Sequence, residues 1–316
     1  MTKIDMRDAF FEKLVEAARL DERIIVLSAD HGAFALKKFE EEMPDRYINI
    51  GIAEQNMVGV AAGLAASGKI VFIYGISPFV SLRVLEQLTI DVAAMQLPVN
   101  VISVGAGFTY STDGPTHQGL QDVAAIATIP GMTILNSSDP ANARAFVDIA
   151  LATEKPHYIR VEKEKLSELP IIGNLQADLI DGVSLRVKGD DQVLIITTGQ
   201  ISHSVLEATT ILKESHGISV SFVDVLRLKS FPEESLLGIL GDNRLCISIS
   251  ELYEPFFEER IGGIISKAGI NTKFVNFGVP EIFHFTGDER SAVLRSLDFD
   301  SASLAALILM AINESE

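Results

Sequence analysis

Cysteine is nearly missing: Cys246 is the single one in 316 residues. No intrachain disulfide can form, and a Cys-x-x-Cys or Cys-rich zinc site is excluded. A reducing, cytoplasmic setting is the expectation. Basic residues are scarce as well. Lys and Arg total 26 against 43 Asp and Glu, a formal charge of −17. That balance argues against a nucleic-acid partner, because neutralising phosphates needs a basic face. Long apolar runs are also lacking. The nearest, 57–82, is interrupted by Lys69. It divides into a Gly/Ala-rich piece and a strand-like piece, each shorter than the ~20 residues of a membrane span. The opening residues Met1-Thr2-Lys3-Ile4-Asp5-Met6-Arg7-Asp8 carry no apolar core of an export signal. No membrane partner is expected.

What is there reads as a globular α/β chain. The length fits two domains at ~100–200 residues each. Residues 7–20 carry apolar side chains at helical spacing. Short β-branched runs follow at 24–28, 48–50, 70–74, 99–104, 132–135 and 157–161, separated by helical patterns at 54–67, 79–95 and 140–153. The last helix opens on Ser138-Asp139-Pro140, a capping residue before proline. Strands this apolar, alternating with helices, predict a mostly parallel sheet covered on both faces, a three-layer domain over 1–165. Residues 166–191, rich in charge, Gly and Pro, are expected to form a linker or a short hairpin. A second α/β domain of the same style is expected over 192–316, with strands near 193–197, 218–224, 245–249 and 271–277.

Two stretches stand apart from this background. The first is Pro44-Asp45-Arg46-Tyr47-Ile48-Asn49-Ile50-Gly51-Ile52-Ala53-Glu54-Gln55-Asn56-Met57. It sets Glu54 in the first turn of a Gly/Ala-rich helix, where the macrodipole favours a carboxylate. The second is the turn-rich Asp113-Gly114-Pro115-Thr116-His117-Gln118-Gly119, beyond a strand end, where open α/β sheets build their sites. Each also has an ordinary reading: Glu54 as a helix-stabilising charge, His117 as a solvated loop residue.

Together, in this order, these motifs resemble the thiamine-diphosphate-dependent transketolase family, and the resemblance runs along essentially the whole chain. It covers the pyrimidine-binding domain and then the C-terminal domain, two of the three domains of a full transketolase. The resemblance implies transfer of a two-carbon ketol unit from a ketose to an aldose. It implies that Glu54 bonds N1′ of the cofactor's aminopyrimidine, and that Phe79 packs on that ring with Ile76 nearby. Asp30 would approach the cofactor from the same domain. Asp113 and His117 would lie near the donor carbonyl and hydroxyls, with His117 handling protons. Arg7 and Arg160 stand where the family has phosphate-binding arginines, a use that suits a guanidinium fork.

The departures matter as much. After Ala29-Asp30 the family usually reaches a serine that helps hold phosphate; here the chain reads His31-Gly32-Ala33-Phe34. A phosphate-facing histidine of many members is Gly105 here. An atypical or modified sugar substrate is therefore expected. The Gly-Asp-Gly…Asn signature that holds Mg²⁺ and the diphosphate is also lacking. Gly189-Asp190-Asp191, Gly241-Asp242-Asn243 and Gly287-Asp288-Glu289 all lack the glycine in its third position. Mg²⁺ and the diphosphate are then expected from a partner, an N-terminal-half transketolase subunit, in an α2β2 assembly. The Gly59, Ala62, Gly63 and Ala66 face suits close packing, within the domain or across an interface. Other readings remain open: the β-subunit of a 2-oxo-acid dehydrogenase, a 1-deoxyxylulose-phosphate-synthase-like enzyme, or a non-catalytic scaffold.

Overall fold

The computed structural model describes residues 3–190, 192–241 and 243–315; Asp191 at the end of the expected linker, and Asp242, lie outside them. The chain divides into two units, Met1–Thr109 with Thr116–Glu168, and Tyr110–Pro115 with Leu169–Glu316.

In the first unit the order is β1 (Ile4–Asp5), α1 (Met6–Leu20), β2 (Ile24–Ser28), α2 (Phe34–Glu42), β3 (Tyr47–Asn49), α3 (Glu54–Ala66) and β4 (Ile70–Ile76). There follow α4 (Leu85–Gln87), β5 (Val99–Val104), α5 (Asp122–Ala127), β6 (Thr133–Asn136), α6 (Pro140–Thr153), β7 (His157–Val161) and β8 (Lys165–Leu166). The strands lie side by side as β6-β7-β5-β4-β2-β3, each pair parallel. Every residue of β2, β4, β5 and β7 is buried, so both sheet faces are covered. The Val/Ile-rich runs have no polar alternation because neither face meets water. Asp5 caps α1 by accepting from the Arg7 and Asp8 amides. At α6, Asp139 and Asn142 bond each other's backbone in a capping box ahead of Pro140. These side chains satisfy amides that a helix start leaves unpaired.

The pattern over 79–95 predicts one helix, and the structure breaks it. Turns occupy 77–84, α4 follows, and Leu88–Ala93 winds as a π-turn. The Ser81 hydroxyl donates to the Ser77 carbonyl at 2.6 Å, competing for an acceptor that a regular helix would use. The Arg83 amide reaches back five residues to the Pro78 carbonyl. On α3, a Cβ added at Gly59 or Gly63 would meet nothing within 4 Å, so that small-residue face is open within its own unit.

The second unit runs α7 (Leu175–Asp181), β9 (Val183–Val187), β10 (Val193–Thr198), α8 (Ser202–His216), β11 (Ser221–Val225), β12 (Arg227–Lys229), α9 (Glu233–Leu240) and β13 (Leu245–Tyr253). It ends with α10 (Glu254–Ala268), β14 (Lys273–Val279), α11 (Arg290–Ser296) and α12 (Ser301–Asn313). Its sheet has the order β14-β13-β10-β11-β9, parallel except for β9, which runs antiparallel to β11. The stretch 166–191, expected as a linker, thus contains a helix and the edge strand of this sheet. Asn174 caps α7, and Gly182 in the left-handed region turns the chain into β9. Inside β9, Arg186 pairs with Asp224 at 2.8 Å, both side chains fully buried. Among the described residues no helix is long and apolar enough to cross a membrane.

Candidate active site

Local backbone rules set the first half of the site. After β3 the chain turns through Gly51 at φ 75°, a conformation that glycine adopts without strain, and α3 starts at Glu54. Asn49 ties this turn to the one after β2. Its Oδ1 accepts from the Gly51 amide at 2.9 Å and the Asp30 amide at 3.1 Å, and its Nδ2 donates to Asp30 Oδ1. Asp30, at φ 59°, is thereby engaged in joining two strand ends. Sequence reasoning misses Asn49; an asparagine closing a strand ahead of a glycine is its one signal.

Glu54 is 2% exposed. Its Oε2 lies 2.8 Å from Nη1 of Arg83, while its Oε1 is buried with no hydrogen-bond partner. A buried carboxylate oxygen left bare is costly, and it is an acceptor with room for a further partner. Phe79 lies just past Ile76, which closes β4 and is buried. The Arg83 guanidinium sits 4.2 Å from the Phe79 ring centroid, close enough for a cation–π contact. His117 meets the same ring edge-on at 5.1 Å, and His31 stands at 6.3 Å. The structure therefore gathers Glu54, Phe79, His117 and Ile76 from separate stretches of the chain. It adds Arg83 and His31, to which the motifs assign no role. Arg83 follows Phe79 by four residues, a spacing that reads as an ordinary helix-surface charge.

The His117 loop is held at its base. Gly119 and Gly107 exchange backbone hydrogen bonds at 2.9 and 3.0 Å. A Cβ on Gly119 would come within 2.4 Å of the Gly105 carbonyl, so no side chain fits there. Gly105 itself adopts φ 94°, a backbone that a histidine would hold only under strain. His117 Nδ1 lies 2.9 Å from the Thr116 hydroxyl. Asp113 is exposed in a 3-10 turn, Ser111–Asp113, that belongs with the second unit. There the Ser111 hydroxyl donates to the Asp288 carbonyl at 2.7 Å.

The two arginines part company. Arg7, at the start of α1, donates to Asp5 Oδ2 at 3.1 Å and faces the Gly32 carbonyl at 3.4 Å. It lines an open cleft of about 410 Å³ with Gly32, Ala33 and Lys37. Burial pushes the Asp5 carboxyl above its usual range, and neighbouring Arg7 only partly opposes this. Arg160 is different, and the expectation that it holds substrate phosphate needs correction. It is 3% exposed in β7, and its guanidinium is committed to protein: Nε to Asp122 Oδ2 at 2.8 Å, Nη1 to Asn136 at 3.0 Å, Nη2 to the Gly119 carbonyl at 2.9 Å. Burial works against its charge, but Asp122 wins and raises its pKa. Arg160 fastens Gly119, at the foot of the His117 loop, to the first residue of α5.

Comparison with known proteins bears on the whole chain. Residues 2–168 match the transketolase pyrimidine-binding domain, and residues 182–302 the transketolase C-terminal domain. The chain is 36% identical over 233 residues to the 6-deoxy-6-sulfo-D-fructose transketolase subunit of Clostridium sp. (strain MSTE9), covering 73% of this chain and 71% of that one. It is 30% identical over 262 residues to an apulose-4-phosphate transketolase subunit of Phocaeicola vulgatus, covering 83% and 81%. Among solved structures, a split-gene transketolase described as an inactive beta4 tetramer superposes with a TM-score of 0.84 at 27% identity, over 99% of each chain. With both domains matched, over residues 2–168 and 182–302, in the order read from the motifs, this chain belongs to the transketolase family.

Proposed function

We propose that this chain is the pyrimidine-side subunit of a split transketolase that uses thiamine diphosphate to move a two-carbon ketol unit from a ketose to an aldose. The observation that carries the reading is Glu54: buried, one oxygen on Arg83, whose guanidinium lies over the Phe79 ring, and the other oxygen unpaired. An aminopyrimidine fits Glu54 and Phe79 in chemistry, since its ring nitrogen pairs with a carboxyl group and its flat face suits an aromatic neighbour. When bound, the cofactor supplies the nucleophilic carbon and the electron sink for C–C cleavage. The protein's part is orientation and proton handling. Glu54 Oε1 holds or returns a proton at the ring nitrogen; Phe79, with Ile76 and Asp30 nearby, fixes the ring. His117 moves a proton at the substrate oxygen that gains charge, with Asp113 orienting the substrate hydroxyls. Arg7 binds the anionic end of the sugar from its cleft.

Mg²⁺ and the diphosphate are assigned to a partner subunit of the N-terminal-half type. Relatives named as subunits support this. A modified sugar is the favoured substrate class. It is supported by the absent hydroxyl in His31-Gly32-Ala33-Phe34, by Gly105 in place of histidine, and by a relative named for a sulfonated ketose. Co-expression with the N-terminal-half partner, followed by assay with sulfonated and phosphorylated ketoses, tests the reading. Ketol transfer is expected, together with its loss in Glu54→Gln while the complex stays assembled. Pyruvate-dependent condensation, or an E54Q complex as active as wild type, would overturn it.

A further inference from the structure

We infer that Arg83 is the positioning residue of Glu54: it binds one carboxylate oxygen so that the other is held, in a fixed orientation, for the cofactor ring. The inference rests on the function proposed above and concerns only residues of this chain.

Three independent ties converge on it. The Arg83 Nη1 lies 2.8 Å from Glu54 Oε2, a close ion pair between a guanidinium and a buried carboxylate. The Arg83 carbonyl accepts from the Gln55 side-chain amide at 3.1 Å, so main chain and side chain both grip the first turn of α3. The guanidinium lies over the Phe79 ring at 4.2 Å, which fixes its plane. A carboxylate has two equivalent oxygens and a free carboxyl rotor. With Oε2 taken, a single oxygen remains, and the bare one is Oε1. Glu54 is 2% exposed whereas the Arg83 side chain is 43% exposed, so the arginine retains contact with water while the carboxylate does not. Arg83 is the counter-charge of this buried anion.

The chemistry makes this a distinct role from binding alone. An anion that must share a proton with a ring nitrogen works only if the same oxygen faces that nitrogen each time, a preorganisation that supporting residues provide. Lysine in place of Arg83 keeps a charge but loses the planar fork and the ring contact. Methionine keeps the bulk and loses both.

Measurements on the complex with its N-terminal-half partner decide the matter. Thiamine diphosphate affinity by titration calorimetry and kcat are compared for wild type, Arg83→Met, Arg83→Lys, E54Q and the double variant E54Q with Arg83→Met. Loss of the counter-ion of a buried carboxylate predicts cofactor affinity at least about tenfold weaker in Arg83→Met, partial rescue in Arg83→Lys, and no further loss when Arg83→Met is added to E54Q. Affinity within twofold of wild type in Arg83→Met overturns the inference. So does an equal loss on the E54Q background, because Arg83 would then act independently of Glu54. A wild-type complex that takes up no thiamine diphosphate overturns the functional reading itself and the inference with it.

Discussion

The imidazole of His117 meets the ring of Phe79 edge to face, with centroids 5.1 Å apart and planes at 72°. Residues from two different loops are thus in contact, an apolar ring against an imidazole. The pairing separates their expected phenotypes. Phe79→Ala should weaken thiamine diphosphate binding by about tenfold, reflecting a lost aromatic contact. His117→Ala should bind the cofactor nearly as wild type and lose about 100-fold or more in kcat, the usual scale for a missing proton donor or acceptor. Calorimetry and steady-state assays on the partnered complex check both. Equal effects of the two substitutions on cofactor affinity would count against this division.

Arg160 should behave as a structural residue. Arg160→Met strands Asp122 in the interior, 1% exposed. Removing one partner of such a pair costs about 3–5 kcal/mol. Denaturant or thermal unfolding should show this loss in the chain alone, before any substrate is present. A variant of normal stability with a raised KM would return Arg160 to the substrate.

Arg7 is the arginine whose removal should be felt by substrate. Its cleft is open, and losing a bond to a charged group is worth ~1.5–3 kcal/mol. Arg7→Ala should therefore raise KM for an anionic sugar by about tenfold to 100-fold with kcat largely kept. A ketose without an anionic end should show no such difference, and that comparison is the decisive control.

His157 gives the fold a pH dependence. Burial holds it at a pKa of about 4, against 6.5 for the free side chain. Below pH 6.5 the unfolded chain takes up this proton and the folded chain does not, so stability falls as pH drops from about 6.5 toward 4. The full effect is roughly 3 kcal/mol. His157→Gln, which has no proton to gain, should lose less stability than wild type over that window when both are followed by unfolding at each pH.

The sheet of the first unit is legible in the sequence because its strands are short β-branched runs buried on both faces, the pattern that chain order and apolar spacing report most directly. Glu54 and His117 are picked out because each stands in a dense motif, and Phe79 by the family resemblance alone. Arg160 misleads for a physical reason: an arginine in the middle of an apolar strand looks the same in sequence whether it faces ligand or Asp122, and the partner lies far along the chain. Arg83 and Asn49 escape notice because both work through a partner chosen by folding. The break in the helix expected over 79–95 has a visible cause in Ser77-Pro78 and Ser81, but apolar spacing outweighs it. Strand β9 is hard to read because an edge strand is only partly buried, with residues alternating between covered and half-covered.

That edge strand bears on how the chain can be cut. A gene shortened to start at residue 192 would begin at β10 and leave the outer rim of β11 with its amide and carbonyl groups unanswered. Such a rim recruits other chains, and Asp224 would remain buried without Arg186. The smallest self-sufficient C-terminal piece therefore begins no later than Asn174, which caps the helix leading into β9. A fragment made from residue 174 should stay dispersed at concentrations where one made from residue 192 precipitates.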